Sequence, residues 1–222
     1  SLTGVFPHNF RDLTLVSGTI GDYAALVVHK DSPINSMTDL VAAYNSDMSG
    51  TAIGGGSVPG GMDHLVAAMV MQAAGADPTA VKYIPYDTGG PAMAALLSGE
   101  IKALSTGFSE AVDMAKAGEV KIIGVTSDAR VDAFGDAPTM KEQGIDANFV
   151  NWRGFFGAPG LPADKLAAYQ DAIAKMYETP EWEAVRARNG WVNIHNPGAD
   201  FQSFLENQEQ VIGDLMKKLG FL

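Results

Sequence analysis

The segment TAIGGGSVPGGMDHLVAAMVMQAA, residues 51–74, combines a short apolar run, a glycine-rich turn and a long apolar helical pattern. Short apolar runs that alternate with helical periodicity are typical of βα units and of a largely parallel sheet. The sequence therefore predicts an α/β fold, in which a strand over 51–54 is followed by a helix over 61–74 that ends at Gly75.

The same alternation continues on both sides of this segment. Ser36 and Asp39 predict a capping box at the start of one helix, and Pro138 predicts a helical turn over 138–143. The pattern is typical of a compact, doubly wound lobe. The further predicted strands cover 23–29, 81–85, 101–105 and 120–126, and the further predicted helices cover 36–44, 91–97 and 110–117.

The last third of the chain has a different pattern, with more helix than strand. Strands are predicted over 151–158 and 191–194, and helices over 162–177, 180–188 and 201–219. The first twenty residues contain no complete βα unit. We therefore expect a complete lobe over 25–147, and a partial first lobe, N-terminally incomplete in this chain, formed by 1–24 and 148–222.

Composition excludes several classes of protein. The 222 residues carry 15 basic and 26 acidic side chains and a formal net charge of −11, which disfavours nucleic-acid binding. The absence of cysteine excludes disulfides, zinc-thiolate sites, iron–sulfur clusters and a cysteine nucleophile. The four histidines are scattered without ligand-like spacing, so we expect no metal and no cofactor. The longest apolar helical stretch, 65–76, is shorter than the roughly 20 residues that span a bilayer, so no direct membrane insertion is expected.

The glycine-rich turn is the first candidate binding site. Consecutive glycines let backbone amides converge on one point, the following helix adds its positive end, and Ser57 adds a hydroxyl. Pro59 breaks both the dinucleotide fingerprint counted from Gly54 and the nucleophile elbow counted from Gly55. The alternative is a plain tight turn between strand and helix, but the density of glycine around a serine favours an anion site.

Two further predicted strands end in similar sequences. Asp87-Thr-Gly-Gly-Pro91 and Ser105-Thr-Gly-Phe-Ser109 each place small hydroxyls and glycines between a strand and a helix. In an open α/β lobe, ligands bind beyond the carboxyl ends of the strands. The three strand ends together therefore predict a site for a small polar ligand, most simply an anion.

Other polar side chains leave two interpretations open. His64 either faces a ligand or orders the loop, and Asp63 beside it complements the helix dipole. Arg153 either binds a carboxylate with its planar guanidinium or forms a surface ion pair, while Trp152 either walls a cleft or packs in the core. No Ser–His–Asp set can be assembled with assurance.

Over essentially its whole length, the sequence resembles the extracytoplasmic solute receptors of tripartite tricarboxylate transporters, the Bug or TctC-like family. The resemblance rests on the order and spacing of five blocks, of which NWRG is similar to the branch nearest the tricarboxylate receptors. The blocks are GGGSVPGGMDHLVAAMV (54–70), YIPYDTGGPAMAALLSGEI (83–101), AGEVKIIGVTSDAR (117–130), APTMKEQGID (137–146) and NWRGFFGAPGLP (151–162).

This resemblance implies a type II periplasmic-binding-protein fold, with two lobes joined by a hinge. It also implies that backbone amides and waters of one loop in each lobe bind the carboxylate oxygens of a ligand. The family's first-lobe loop has no counterpart in this chain. The residues expected to bind ligand are Ser57, Gly60, Gly61, Asp63, His64, Thr88, Gly89, Gly90, Thr106, Gly107, Phe108 and Arg153.

The function expected from these observations is that of a non-catalytic receptor. We expect it to capture a small di- or tricarboxylate, such as citrate, and to deliver it to the membrane components of a tripartite transporter. The resemblance implies a monomeric periplasmic protein whose signal peptide lies outside this chain. Two alternatives stay open: a hydrolase or transferase that uses Ser57 with His64, and a ligand-sensing partner of a signalling system.

Overall fold

A computed structural model describes residues 2, 4 and 7–222 of the chain. It divides into two compact units: unit 1 comprises Ser1–Gly21 and Trp152–Leu222, and unit 2 comprises Asp22–Asn151. The chain passes between the units twice, once within strand β1 (Thr14–His29) and once within strand β6 (Val150–Gly157).

Unit 2 contains the alternating elements that the sequence predicts. The first strand of unit 2 is the second half of β1, and the unit also contains three short 3₁₀ turns. One of these turns, Lys141–Gln143, lies within the helical turn predicted over 138–143. The remaining elements are α1 (Met37–Ser46), β2 (Ile53–Gly55), α2 (Met62–Ala73), β3 (Tyr83–Pro85), α3 (Gly89–Ser98), β4 (Ala103–Gly107), α4 (Phe108–Lys116) and β5 (Val120–Val125).

The sheet of unit 2 has the strand order β3-β2-β4-β1-β5. Strand β2 runs parallel to both neighbours, with Ile53 opposite Tyr83 on one side and Ala103 on the other. Strand β1 runs antiparallel to β4 and β5, with Ala24 opposite Gly107. The prediction of a largely parallel sheet is therefore wrong for β1. Helix α1 joins β1 to β2, but β1 lies between β4 and β5, so neither of its neighbours in the sheet is connected to it by a single helical crossover.

Helices cover this sheet on both faces. Leu26 and Val28 of β1 belong to the core beneath α1 and α2, whereas Ala25 and Val27 belong to the core beneath α3 and α4. Burial on both faces explains why 23–29 is a continuous apolar run rather than an alternating one.

The predicted capping box at α1 is half formed. The Ser36 hydroxyl accepts a hydrogen bond from the amide of Asp39 at 3.1 Å. The Asp39 carboxylate reaches one residue further back than expected and accepts from the amide of Asn35 at 2.8 Å. Both bonds satisfy amides at or just before the first helical turn.

Unit 1 is built on the first half of β1, which pairs with β6 and with β7 (Val192–Asn193). Its helices are α5 (Ala163–Tyr177), α6 (Pro180–Asn189) and α7 (Ala199–Lys218). The structure describes every residue of α5 and α6, and none of them is buried. The helix that does bury residues is α7, through Phe201, Leu205 and Met216 among others.

An aromatic cluster joins β6 to α7 inside unit 1. The ring of Trp152 meets those of Phe201 and Phe204 edge-on, with centroids 6.1 and 5.7 Å apart. Gly154 is required beside it, because a Cβ there would lie 2.6 Å from the Phe201 ring. Trp152 is thus half-buried against α7 within unit 1, and its role as the wall of a cleft stays a prediction. No helix in the described part of the chain is long and apolar enough to cross a bilayer.

Candidate anion-binding site

The carboxyl ends of β3, β2 and β4 lie at one edge of the unit 2 sheet, since these strands are adjacent and parallel. Each is followed by the N-terminus of a helix: α3, α2 and α4 respectively. The first two loops touch, because a Cβ added to Gly56 would lie 2.4 Å from the amide nitrogen of Gly89. The structure thus brings the three predicted strand-end sequences together along one edge.

The turn between β2 and α2, residues 56–61, is called the glycine turn below. Its Ser57 hydroxyl accepts a hydrogen bond from the amide of Asp63 at 3.0 Å. Ser57 therefore caps α2 in place of Gly61, which stands at the N-cap position and has no side chain to do so.

Asp63 points back into the glycine turn and is 7% exposed. Burial raises its pKa from 3.8 to about 6, and the neighbouring Glu110 charge contributes to the rise. Hydrogen bonds from the Ser57 hydroxyl and from the amides of Gly56 and Ser57 oppose the rise. A buried carboxylate of the protein thus already accepts from the amides at the start of the turn.

His64 accepts at the other end of the turn. Its Nδ1 receives a hydrogen bond from the amide of Gly60 at 3.0 Å. Burial lowers the pKa of the imidazole, so the ring is neutral at pH 7 and carries its proton on Nε2. Gly60 itself has φ +79°, a left-handed conformation that favours glycine.

These contacts show which amides of the turn remain for a ligand. A further bond joins the amide of Gly61 to the carbonyl of Val58 at 2.8 Å. The amides of Gly60, Gly61 and Asp63 therefore have acceptors within the protein, and those of Gly56 and Ser57 lie close enough to the Asp63 carboxylate to oppose the rise of its pKa. The amides of Val58 and Met62 have no hydrogen-bond acceptor among the described residues. Met62 is the first residue of α2, so its amide lies at the positive end of that helix.

The N-terminus of α3 is more open. Thr88 is the N-cap residue in an extended conformation, and its hydroxyl makes no capping bond. The amides of Gly89 and Gly90 begin the helix without an acceptor among the described residues, and nothing lies within 4 Å of a Cβ built on Gly90. This arrangement presents a hydroxyl and two amides at a second helix N-terminus.

A carboxylate, that of Asp22, already accepts from the N-terminus of α4. Ser109 donates to Asp22 from its amide at 3.2 Å and from its hydroxyl at 2.6 Å. Thr106 donates from Oγ1 to Oε2 of Glu110 at 2.5 Å. The Phe108 side chain is fully buried in the core, so only its backbone belongs to the edge. Gly107 lies against Asp22, since its Cβ would be 2.6 Å from Oδ2.

Sequence reasoning missed three residues of this edge: Asp22, Tyr83 and Glu110. Asp22 bonds to a residue 87 positions away, and Tyr83 bonds to Ser57 across 26 positions, so no local pattern marks either contact. Glu110 lies in the first turn of α4, where an acid is ordinary, but its Oε2 would lie 2.6 Å from a Cβ on Gly89. Within the described residues, no group of histidines and acids is arranged to hold a metal ion.

Arg153 lies in unit 1, on β6. Its side chain is exposed, and Nη1 donates to the carbonyl of Trp152 at 3.3 Å. Its contact with a ligand stays a prediction.

The geometry of His64 bears on the enzyme alternative. A neutral imidazole has one nitrogen that accepts a hydrogen bond, and in His64 that nitrogen accepts from Gly60. No lone pair of the ring remains to take a proton from Ser57. The hydroxyl of Ser57 instead accepts from Asp63 and lies 3.3 Å from the hydroxyl of Tyr83. This arrangement does not favour nucleophilic catalysis by the pair.

The sequence pattern of one protein family, described as "Tripartite tricarboxylate transporter family receptor" (TctC), matches residues 4–221 of the chain. The chain belongs to this family. Receptors of the family bind small carboxylates and work with the membrane components of a transporter. The family predicted from the five sequence blocks is confirmed.

Among curated proteins, the chain is similar to a UPF0065 protein of Bordetella pertussis, at 26% identity over 97% of this chain and 68% of that protein. It is also similar to a UPF0065 protein of Agrobacterium vitis, at 28% identity over 70% of this chain and 44% of that protein. The curated relatives are longer, and the chain spans between 44% and 68% of their lengths.

Solved structures share the fold. A TctC solute-binding protein from Polaromonas is 25% identical, with a TM-score of 0.76 over 98% of this chain and 74% of that one. Rpa4515 of R. palustris with adipate is 20% identical, with a TM-score of 0.84 over 94% and 69%. MatC of Rhodopseudomonas palustris with bound malate is 18% identical, with a TM-score of 0.78 over 98% and 73%. The predicted periplasmic-binding-protein fold is confirmed.

Proposed function

We propose that this protein is a periplasmic receptor that binds a small carboxylate at the strand edge of unit 2 and delivers it to the membrane components of a tripartite tricarboxylate transporter. One observation carries the proposal. The glycine turn before α2 touches the N-terminus of α3 at Gly89, and the amides of Val58, Met62, Gly89 and Gly90 have no hydrogen-bond acceptor among the described residues.

Such a site attracts an anion without a basic side chain. Each helix N-terminus acts as about half a positive charge, and a hydrogen bond to a charged group contributes about 1.5–3 kcal/mol. The attraction is local and dipolar. It is therefore compatible with a chain whose formal net charge is −11.

The ligand class that we propose is a di- or tricarboxylate. Two neighbouring N-termini suit a ligand with more than one carboxylate, and the comparison proteins Rpa4515 and MatC hold adipate and malate, both dicarboxylates. Citrate belongs to the same chemical class. Arg153 would bind a further carboxylate or form an ion pair at the hinge.

The predicted binding residues divide into two roles under this proposal. Thr88, Gly89 and Gly90 would contact the ligand directly, and His64 would face it. Thr106, Gly107 and the backbone of Phe108 would border the site at the third strand end. The others, Ser57, Gly60, Gly61 and Asp63, would shape the glycine turn through the bonds described above.

Units 1 and 2 would be the two lobes of the receptor. The unit boundary at Gly21 and Asp22 lies close to the lobe boundary expected at residues 24 and 25, and the second lies at Asn151 and Trp152 rather than 147 and 148.

A ligand screen tests the function. Thermal unfolding would be followed with citrate, malate, adipate, tricarballylate and acidic amino acids, and positive ligands would be titrated by calorimetry. We expect at least one carboxylate to raise the unfolding temperature and to bind with one-to-one stoichiometry. A protein that is folded and shifts with none of these compounds would overturn the proposal.

We also propose that the protein has no hydrolase or transferase activity, because the acceptor nitrogen of His64 is engaged. A serine-directed phosphonate should leave Ser57 unlabelled, and an activated ester should give no burst of product. Covalent labelling of Ser57 would favour the enzyme.

A further inference from the structure

We propose that Tyr83 is the positioning residue of the glycine turn, and that it holds the turn in its binding conformation from both ends. The inference rests on the proposed function, because it takes the glycine turn as part of the anion site. Tyr83 lies on β3, beside the strand that leads into the turn.

The hydroxyl of Tyr83 holds the beginning of the turn. It donates to the carbonyl oxygen of Ser57 at 2.7 Å and lies 3.3 Å from the Ser57 hydroxyl. Burial raises the pKa of the phenol, so the group stays protonated and keeps its donor. The Tyr83 hydroxyl also lies against Gly55, the last residue of β2, because a Cβ on Gly55 would be 2.5 Å from the hydroxyl oxygen. Only glycine fits at position 55 while the hydroxyl occupies this place.

The ring of Tyr83 holds the end of the turn through His64. The two rings are stacked, with centroids 4.4 Å apart and an angle of 6° between their planes. The stack orients the imidazole so that Nδ1 accepts from the amide of Gly60 at 3.0 Å. One side chain thus acts on Ser57 directly and on Gly60 through His64.

The order that Tyr83 gives to the glycine turn affects the affinity for a carboxylate as well as the stability of the fold. A turn with three glycines among six residues loses much backbone entropy when it is ordered. If the turn is ordered before the ligand arrives, that entropy loss does not reduce the affinity. Weakening the Tyr83 contacts should therefore weaken carboxylate binding by the folded protein. If Tyr83 were only a packing residue, its loss would lower stability and leave affinity unchanged.

Two variants separate the hydroxyl from the ring. Tyr83→Phe keeps the stack and removes both hydroxyl contacts, and Tyr83→Leu removes the stack as well. Tyr44→Phe is the matched control, because the Tyr44 hydroxyl also donates to a backbone carbonyl, that of Asp77 at 3.0 Å, beyond the opposite end of α2. All three are compared at equal fractions of folded protein.

Calorimetry with malate, adipate and citrate provides the binding readout. We expect Tyr83→Phe to weaken binding about tenfold and Tyr83→Leu further, whereas Tyr44→Phe keeps the wild-type affinity. Equal affinity in wild type and Tyr83→Phe would overturn the inference.

Nitrogen NMR of His64 and hydrogen exchange of the Gly60 amide provide a readout that needs no ligand. In the wild type we expect the Nε2–H tautomer and a protected Gly60 amide. In Tyr83→Leu we expect mixed tautomers and roughly tenfold faster exchange at Gly60, and unchanged values there would also overturn the inference. If the NMR results are as expected but no carboxylate binds even to the wild type, the proposed function fails. Tyr83 then orders a turn that has another role.

Discussion

The imidazole of His64 lies parallel to the phenol ring of Tyr83, with 4.4 Å between the ring centroids. The contact keeps a titratable ring half-buried at the start of α2, one residue after the buried carboxylate of Asp63. The two groups respond to pH in opposite directions, because burial disfavours the charged form of each.

For His64, we predict that stability falls on acidification. Burial lowers its pKa below the ordinary value of 6.5, so the unfolded chain takes up the proton first. The stabilisation is fully present above about pH 6.5 and is lost as the pH falls toward the folded-state pKa. Urea unfolding between pH 5 and 8 measures the free energy of unfolding of wild type and His64→Gln. The difference between the two free energies should shrink as the pH falls. A difference that is constant with pH would contradict this.

For Asp63, we predict the opposite trend. Its pKa rises from 3.8 to about 6 on folding, so its contribution to stability is fully present below pH 3.8 and is lost as the pH rises through about 6. Asp63→Asn has no carboxyl group at this position and so lacks this pH-dependent contribution. The free energy of unfolding of wild type should therefore fall relative to that of Asp63→Asn between about pH 4 and 7. Urea unfolding of both proteins measures it, and parallel pH profiles would contradict it.

For Gly56, we predict that even one methyl group is destabilising. The Cβ of Gly56→Ala would lie 2.4 Å from the amide nitrogen of Gly89, which is backbone and cannot rotate away. Overpacking of this kind costs about 1–3 kcal/mol. Gly135→Ala is the matched control, since nothing lies within 4 Å of its Cβ, and its stability should be unchanged or slightly higher. Equal unfolding free energies for the two variants would show that the adjoining loops are not in contact.

For Glu110, we predict that removing its charge strengthens anion binding. Its Oε2 lies beside Gly89 at the N-terminus of α3, where it repels a bound carboxylate. Glu110→Gln should tighten the binding of malate or adipate by about three- to tenfold at low salt, and the gain should shrink as salt is added.

The control for this prediction is Asp113→Asn, which changes the net charge equally at an exposed position one turn further along α4. We expect it to have little effect on affinity. Equal gains in the two variants would mean that total charge, and not the position of Glu110, governs the affinity.

Local patterns predicted most of the elements that carry the candidate site. The helices α2, α3 and α4 begin within a few residues of their predicted starts, because glycine turns and apolar periodicity are properties of neighbouring residues. Strand β4 lies at Ala103–Gly107 rather than 101–105. The prediction began too early because Ile101 is a buried β-branched residue, 2% exposed, that packs in the core before the strand begins. Strand β1 begins at Thr14, well before the predicted start at Tyr23, because its first half contains glycines and polar residues.

The sequence alone determined the alternation of strands and helices, the glycine-rich strand ends and the family, since all three are written in residue order and spacing. Only the tertiary structure decided the direction of β1 and the arrangement of Tyr83, His64 and Asp63 around the glycine turn. It also decided that acceptors within the protein take the amides of Gly60 and Gly61, whereas those of Val58 and Met62 have none among the described residues. The physical reason is that an amide can bind a ligand only when no acceptor of the protein already bonds to it. The positions of the acceptors in the glycine turn depend on Tyr83, which is distant in sequence.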